Sequence, residues 1–360
     1  MKVLAAARHP GTAEAVGPVV TALRRAGHEV QLIGVPNDTI ASKAHGGSAG
    51  VFDRYEVDFT NLMEFESVED VVDLPVEFAE SVIDSFGPDV IFVGCSMDST
   101  GEHMGVEETL VDVGARRSVR TVQMVEFWDV WHPRADPSFA SAYVALDEAT
   151  RDVLKARGAP PDRIAVTGHP GLDQYAVARN AKDIERRQGA KAGGVRSVGY
   201  FGQASNADGN PDNLMTLGWT LDALQANDRL LFSKHPRDNR DYSDVLNDRD
   251  GQASAERGTG DDLLADVDVC VTHFSVMGLK AALLNIPTVN ILLDGDCADI
   301  RSLCGGFPIS SLGGSYEANS NEDLRVLLAR PLQGNAAQLK RALNVDGEST
   351  HRVAQAVITD

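Results

Sequence analysis

Short apolar runs alternating with stretches of helical periodicity organise the first half of the chain. The runs at 2–7 (KVLAAA), 29–34, 88–94 (PDVIFVG) and 120–125 (RTVQMV) are six or seven residues long. They are too short for ordinary helices, and the apolar ones read as strands buried on both faces. Between them, 11–26, 68–86 and 106–114 space their apolar residues by three and four, which predicts helices. The segment 142–158 (AYVALDEATRDVLKARG) runs from a strand into a helix, with Asp147 as its N-cap and Gly158 as its stop. A last strand follows at 163–168. Strands separated by single helices are the signature of parallel βαβ winding.

From about 176 to 194 the chain turns polar and charged and ends in AKAGG, a linker composition. The pattern then restarts, with strands at 197–202, 229–235, 267–273 and 286–293 and helices at 213–225 and 276–284. From 321 onward two or three amphipathic helices are expected. The fold class is therefore α/β, with two Rossmann-like domains facing each other across a cleft that holds the site. The expected boundaries are 1–178 for the first domain and 195–342 for the second. The helix in 343–360 is left free to cross back to the first.

Composition narrows the function classes. Of 360 residues, 53 are acidic and 33 basic, a net charge of −20. Such a surface repels phosphate backbones and anionic lipid, which argues against nucleic-acid or membrane-surface binding. No apolar run approaches the ~20 residues of a membrane span. The start, MKVLAAARHP, turns polar too quickly for a signal peptide, so a cytoplasmic location is expected. The four cysteines lack zinc-ligand spacing. Cys95 and Cys270 lie in apolar runs as buried thiols, and a Cys297–Cys304 bridge is left open.

Candidate chemistry gathers at predicted strand ends, where ligands bind in parallel sheets. In 266–291 a strand ends at Thr272-His273 and a helix starts at Ser275, which can cap that helix while its N-terminus holds a diphosphate. LFSKHPRD clusters Lys234, His235 and Arg237 in a chain short of bases. There Arg237 can clamp a phosphate, Lys234 adds charge and His235 exchanges a proton. The turn VTGHPGLDQY places Gly168 and His169 on the cleft. The turn AARHPGTAEAVGP places His9 there as a candidate acid or base, and it lacks the Gly-x-Gly-x-x-Gly of an NAD site. CSMDSTGEH and VQMVEFWDVWHPR put Asp98, Glu102 and His103, then Glu126, Asp129, His132 and Arg134, beyond neighbouring strands. A carboxylate beside Phe127, Trp128 and Trp131 should have a raised pKa, and Trp128 and Trp131 suit a ring-stacking platform or a domain interface. A metal held by Asp98, Glu102, His103 and His132 is a weaker reading, because the spacing is not diagnostic.

VTGHPGLDQY, LFSKHPRD, SVMGLKAALLNIPTV and the terminal VDGESTHRVAQAVI, in this order, resemble the GT-B superfamily. That superfamily includes nucleotide-sugar glycosyltransferases and non-hydrolysing UDP-N-acetylglucosamine 2-epimerases. The last segment is similar to the final helix of CDP-glycerol-type and capsule-type transferases. The resemblance covers most of the second half and is weak in the first. It implies a donor diphosphate at Ser275, with Lys234, His235 and Arg237 nearby and His273 beside it. It also implies a glutamate five residues beyond the serine that binds the donor ribose, where this chain has Lys280.

The function this implies is a glycosyltransferase or glycan-phosphate transferase of polysaccharide biosynthesis, with Asp98, Glu126 or His9 as base. Its substrates are a nucleotide-diphosphate sugar and a glycan or small-molecule acceptor. No cofactor or metal is required, and a homodimer is left open. A 2-epimerase is the alternative, with Asp98 and Glu126 at the epimerase acids, although the His-x-Glu-Ala-Gly string is absent. A non-catalytic binding protein of the same fold is the third reading.

Overall fold

In the computed structural model, residues 1–36, 47–65, 67–68, 74–95, 105–128, 131–132, 139–176, 194–203, 212–235, 238, 240–247, 253–255, 260–293 and 297–359 are described. The chain divides into two units, Met1–Ala176 with Leu343–Asp360, and Val177–Ala342.

The first unit is built on a seven-stranded sheet. Its strands are β1 (Lys2–Ala7), β2 (Glu29–Gly34), β3 (Thr60–Asn61), β4 (Val90–Val93), β5 (Arg120–Val125), β6 (Ala142–Ala145) and β7 (Ile164–Val166). They lie in the order β3-β2-β1-β4-β5-β6-β7, and every pairing is parallel. Around them run α1 (Pro10–Arg25), α2 (Ala49–Arg54), α3 (Val76–Phe86), α4 (Val106–Arg116) and α5 (Glu148–Ala156). The two-residue period of a strand sorts β1 between two cores. Leu4 and Ala6 pack on one face with Ile91, Val93 and Leu110. Val3, Ala5 and Ala7 pack on the other with Val16, Val20 and Phe92. Helix α3 begins later than its periodicity predicts, because Pro75 takes the extended backbone of an N-cap.

The second unit repeats the winding. Strands β8 (Arg196–Phe201), β9 (Asp228–Ser233), β10 (Ala253–Ala255), β11 (Val269–Thr272), β12 (Thr288–Ile291) and β13 (Tyr316–Ala318) form an all-parallel sheet in the order β10-β9-β8-β11-β12-β13. The helices that matter below are α6 (Asn213–Ala223), α7 (Gly260–Leu263) and α8 (Val276–Leu283). Again one core lies on each face, Val198, Tyr200, Leu230, Val271 and Ile291 on one and Phe201, Leu231, Cys270 and Ala281 on the other. In both sheets the winding reverses beside the first strand of the unit, between β1 and β4 and between β8 and β11. Such reversals leave a crevice at the carboxyl ends of the strands.

Helix α9 (Ser349–Ile358), the last in the chain, belongs to the first unit. Val353 and Val357 are fully buried in the core beneath α1. Asp173 accepts from the Ser349 and Thr350 N–H groups at 3.0 and 2.8 Å, satisfying two orphan donors at the helix start. At the other end, Arg120 donates to the Val357 and Ala356 carbonyls at 2.7 and 2.8 Å. Acid at the N-terminus and base at the C-terminus complement the helix dipole. Gly168 (φ 81°) passes directly under this helix, and a Cβ there would lie 2.4 Å from Ser349 Oγ.

Candidate functional site

In the first unit, β1 feeds α1 through Arg8-His9-Pro10, and Thr12 on the first turn of α1 faces the end of β4. The approach is close because residue 94 is glycine: a Cβ there would fall 1.8 Å from Thr12 Cγ2. Thr12 Oγ1 thereby reaches Glu126, one residue past β5, and donates to its Oε1 at 2.9 Å.

Glu126 is only 7% exposed. Its Oε2 meets no hydrogen-bond donor among the described residues. Burial pushes the carboxyl up to about 8. Its own backbone N–H and Thr12 oppose the rise, while Glu107 and Glu108 add to it. Those two acids sit in the first turn of α4, both buried. Arg8 N–H donates to Glu107 Oε1 at 2.6 Å. Arg8 Nη2 lies 3.0 Å from His9 Nε2.

The structure thus brings His9 and Glu126 to one sheet edge and adds Arg8, Thr12, Glu107 and Glu108, which the sequence reading did not single out. Asp98, Glu102, His103, Asp129 and Arg134 lie outside the described residues. Both tryptophan rings are in the core. Trp128 donates to both Asp147 oxygens, at 3.1 and 3.0 Å, and Asp147 also caps α5 through Thr150 N–H. Burial raises the Asp147 carboxyl, with the Thr150 and Trp128 bonds opposing. Trp131 packs edge-on against Tyr143. His132 lies beside Arg157, 3.5 Å away. His169 is buried, its Nδ1 accepting from Gly171 N–H at 3.0 Å to close the turn that carries Asp173.

In the second unit the carboxyl edge of the sheet holds a connected polar network. His273, just past β11, is fully buried with Nε2 2.8 Å from Thr216 Oγ1 and 3.3 Å from Tyr200 Oη. Burial drives its pKa down to about 4, so the ring is neutral at pH 7. Asn290 on β12 fixes the His273 carbonyl at 2.5 Å. Ser275 caps α8, accepting from Met277 N–H at 3.2 Å.

After β9, Lys234 is exposed and its Nζ donates to the Arg240 carbonyl at 3.3 Å, while His235 is half-buried. Arg237 lies outside the described residues. The residue that organises this turn is Asp238. It accepts from Arg240 Nε and Nη2, both at 3.1 Å, from Asn213 Nδ2 at 3.0 Å, and from the Tyr242 hydroxyl. Burial opposes ionisation, but these donors outweigh it and hold the carboxyl well below its ordinary value. Lys280, on α8, is buried and ion-pairs with Asp261 of α7 at 3.0 Å. Among the described residues no group of three or more His, Cys, Asp and Glu is arranged to hold a metal. No helix among them is long and apolar enough to cross a membrane.

No family model matches the sequence, and no curated protein matches it significantly. Solved structures do. The UDP-GlcNAc 2-epimerase from Neisseria meningitidis bound to UDP-GlcNAc aligns over 100% of both chains, with a TM-score of 0.67 at 12% identity. The MurG of Acinetobacter baumannii aligns over 99% of both, with a TM-score of 0.58 at 10% identity. The glycotransferase of kitacinnamycin aligns over 99% of this chain and 98% of its own, with a TM-score of 0.61 at 13% identity. With two parallel, identically wound sheets and whole-chain likeness to these proteins, the chain has the GT-B fold.

Proposed function

We propose that this chain is an enzyme acting on a nucleotide-diphosphate sugar, with Glu126 as its proton-transfer group. The observation that carries this is Glu126 itself: buried, raised to about 8, with one oxygen that meets no donor among the described residues, at the carboxyl edge of the first sheet, one strand beyond its winding reversal. A pKa near the working pH is what acid–base catalysis requires. The likeness to the epimerase bound to UDP-GlcNAc supports the substrate class.

The first reading is glycosyl transfer. The second unit holds the leaving diphosphate with the α8 N-terminus at Ser275 and the basic turn at Lys234 and His235, and Glu126 deprotonates the acceptor hydroxyl. Charge grows on the diphosphate as the glycosidic bond breaks, so donors fixed there stabilise the transition state. The second reading, 2-epimerisation, is favoured by the full-length alignment with the Neisseria enzyme. Here Glu126 carries its proton at neutral pH and acts first as an acid.

Calorimetry with UDP-, GDP- and CDP-linked sugars tests the substrate class, and no binding by any of them refutes it. For a ligand that binds, incubation in deuterium oxide separates the readings. Deuterium at sugar C2 marks epimerisation, and an inert C2 with the sugar transferred to an acceptor and the nucleoside diphosphate released marks transfer. The pH profile of kcat/KM assigns the role of Glu126: it rises to a plateau above about 8 for a base and falls there for an acid.

A further inference from the structure

We infer that Asp238 is a positioning residue that ties Gln203, just past β8, to Lys234 and His235, just past β9, as parts of one anion-binding surface, an inference that rests on the nucleotide-diphosphate reading above. Asp238 acts through carboxylate hydrogen bonds on two sides of the turn. On one side it holds Arg240, whose carbonyl receives Lys234 Nζ, and its own N–H donates to the His235 carbonyl at 2.9 Å. On the other side it holds Asn213 at the start of α6. Asn213 in turn exchanges side-chain bonds with the Gln203 backbone at the end of β8, donating to its carbonyl at 2.6 Å and accepting from its N–H at 3.1 Å.

One turn further along α6, Thr216 meets His273, which precedes the Ser275 cap. The first turn of α6 is therefore a bar joining the ends of β8, β9 and β11, and Asp238 is its fastening on the β9 side. An Asp238 that only stabilised the fold would change binding and turnover no more than unfolding does. A positioning Asp238 changes ground-state affinity for the anion and leaves the chemistry at Glu126 intact.

The test uses the full-length chain, with UDP and inorganic pyrophosphate as probes. Asp238→Asn keeps the shape and loses the ion pair. The expected result is a UDP Kd and donor KM raised about tenfold or more, with kcat at saturation within about threefold of wild type. Tyr242→Phe removes a single donor and gives a milder variant, expected to raise Kd about two- to fivefold with an unchanged fold. In the Asp238→Asn background, Arg240→Gln should add little, because the two residues act as a unit. Wild-type affinity in a folded Asp238→Asn protein overturns the inference and leaves the substrate reading standing. So does a loss confined to kcat. If the wild-type chain binds neither UDP nor pyrophosphate, the substrate reading fails and the inference falls with it.

Discussion

Replacing Glu126 by glutamine isolates the cost of its carboxyl. The unfolded chain titrates this group near 4.5, and the folded chain near 8. Between those values the folded state holds a proton that the unfolded state has lost. The contribution to stability is therefore complete below about 4.5 and disappears as pH rises through about 8. At about 1.4 kcal/mol per decade the span between the two values amounts to about 5 kcal/mol as an upper bound, and relaxation around a buried charge brings the working figure to about 2–5 kcal/mol. Glutamine keeps the volume and still accepts from Thr12, but never ionises. Urea denaturation of both proteins at about pH 5 and about pH 8.5 reads the difference, since every other group is common to both. Near pH 5 the two should agree to within about 1 kcal/mol, and near pH 8.5 the variant should be the more stable by about 2–5 kcal/mol, while its kcat falls by roughly 10²–10⁴. A stability difference that stays constant across this range would refute the burial argument for Glu126, whatever happens to activity.

Gly94→Ala should destabilise by about 1–3 kcal/mol in thermal unfolding, because Thr12 has to yield to the new methyl group. As Thr12 withdraws from Glu126, the pH limb of kcat/KM should also move upward. Lys280→Glu, which installs the acid that the GT-B resemblance implies at this position, sets two carboxylates together at Asp261. It should cost about 3–5 kcal/mol in chemical denaturation and bring no tighter UDP binding, and a stable variant with improved affinity would contradict the pairing seen here. Asp173→Ala removes the acceptor for two N–H groups of α9 and should cost about 1–2 kcal/mol, with faster hydrogen exchange confined first to the 349–358 helix.

The sheet strands were legible because both faces of each sheet are covered, so VLAAA and VIFV read as unbroken apolar runs. The strands that escaped, β3, β10 and β13, are edges of two or three residues with too few positions to show a pattern. His9 and Glu126 could be read as candidates because strand ends point to ligands in any parallel sheet. Glu107 and Glu108 could not: acids in a first helical turn are ordinary, and only the fold reveals that these two are buried near Glu126. In KHPRD the bases drew attention, yet the buried acid of that string organises the turn, through partners at Asn213 and Tyr242 that no local pattern announces. Lys280 stood out as a departure, but its partner Asp261 lies 19 residues earlier and carried no mark. The tryptophans misled in the usual way of large rings, whose identity does not disclose whether they face a ligand or a core.

Seating of the last helix in the first unit has a consequence for biosynthesis. A ribosome delivers residues 1–176 first, but Val353 and Val357, which complete their core, emerge only after the whole of the second unit. The usual order, in which an N-terminal domain folds as soon as it is made, is closed to this chain. Its first unit must wait, with apolar surface beneath α1 uncovered, while all of 177–342 is translated. A stop between 343 and 348 would release a protein with an intact second unit and an unsealed first one, prone to aggregate.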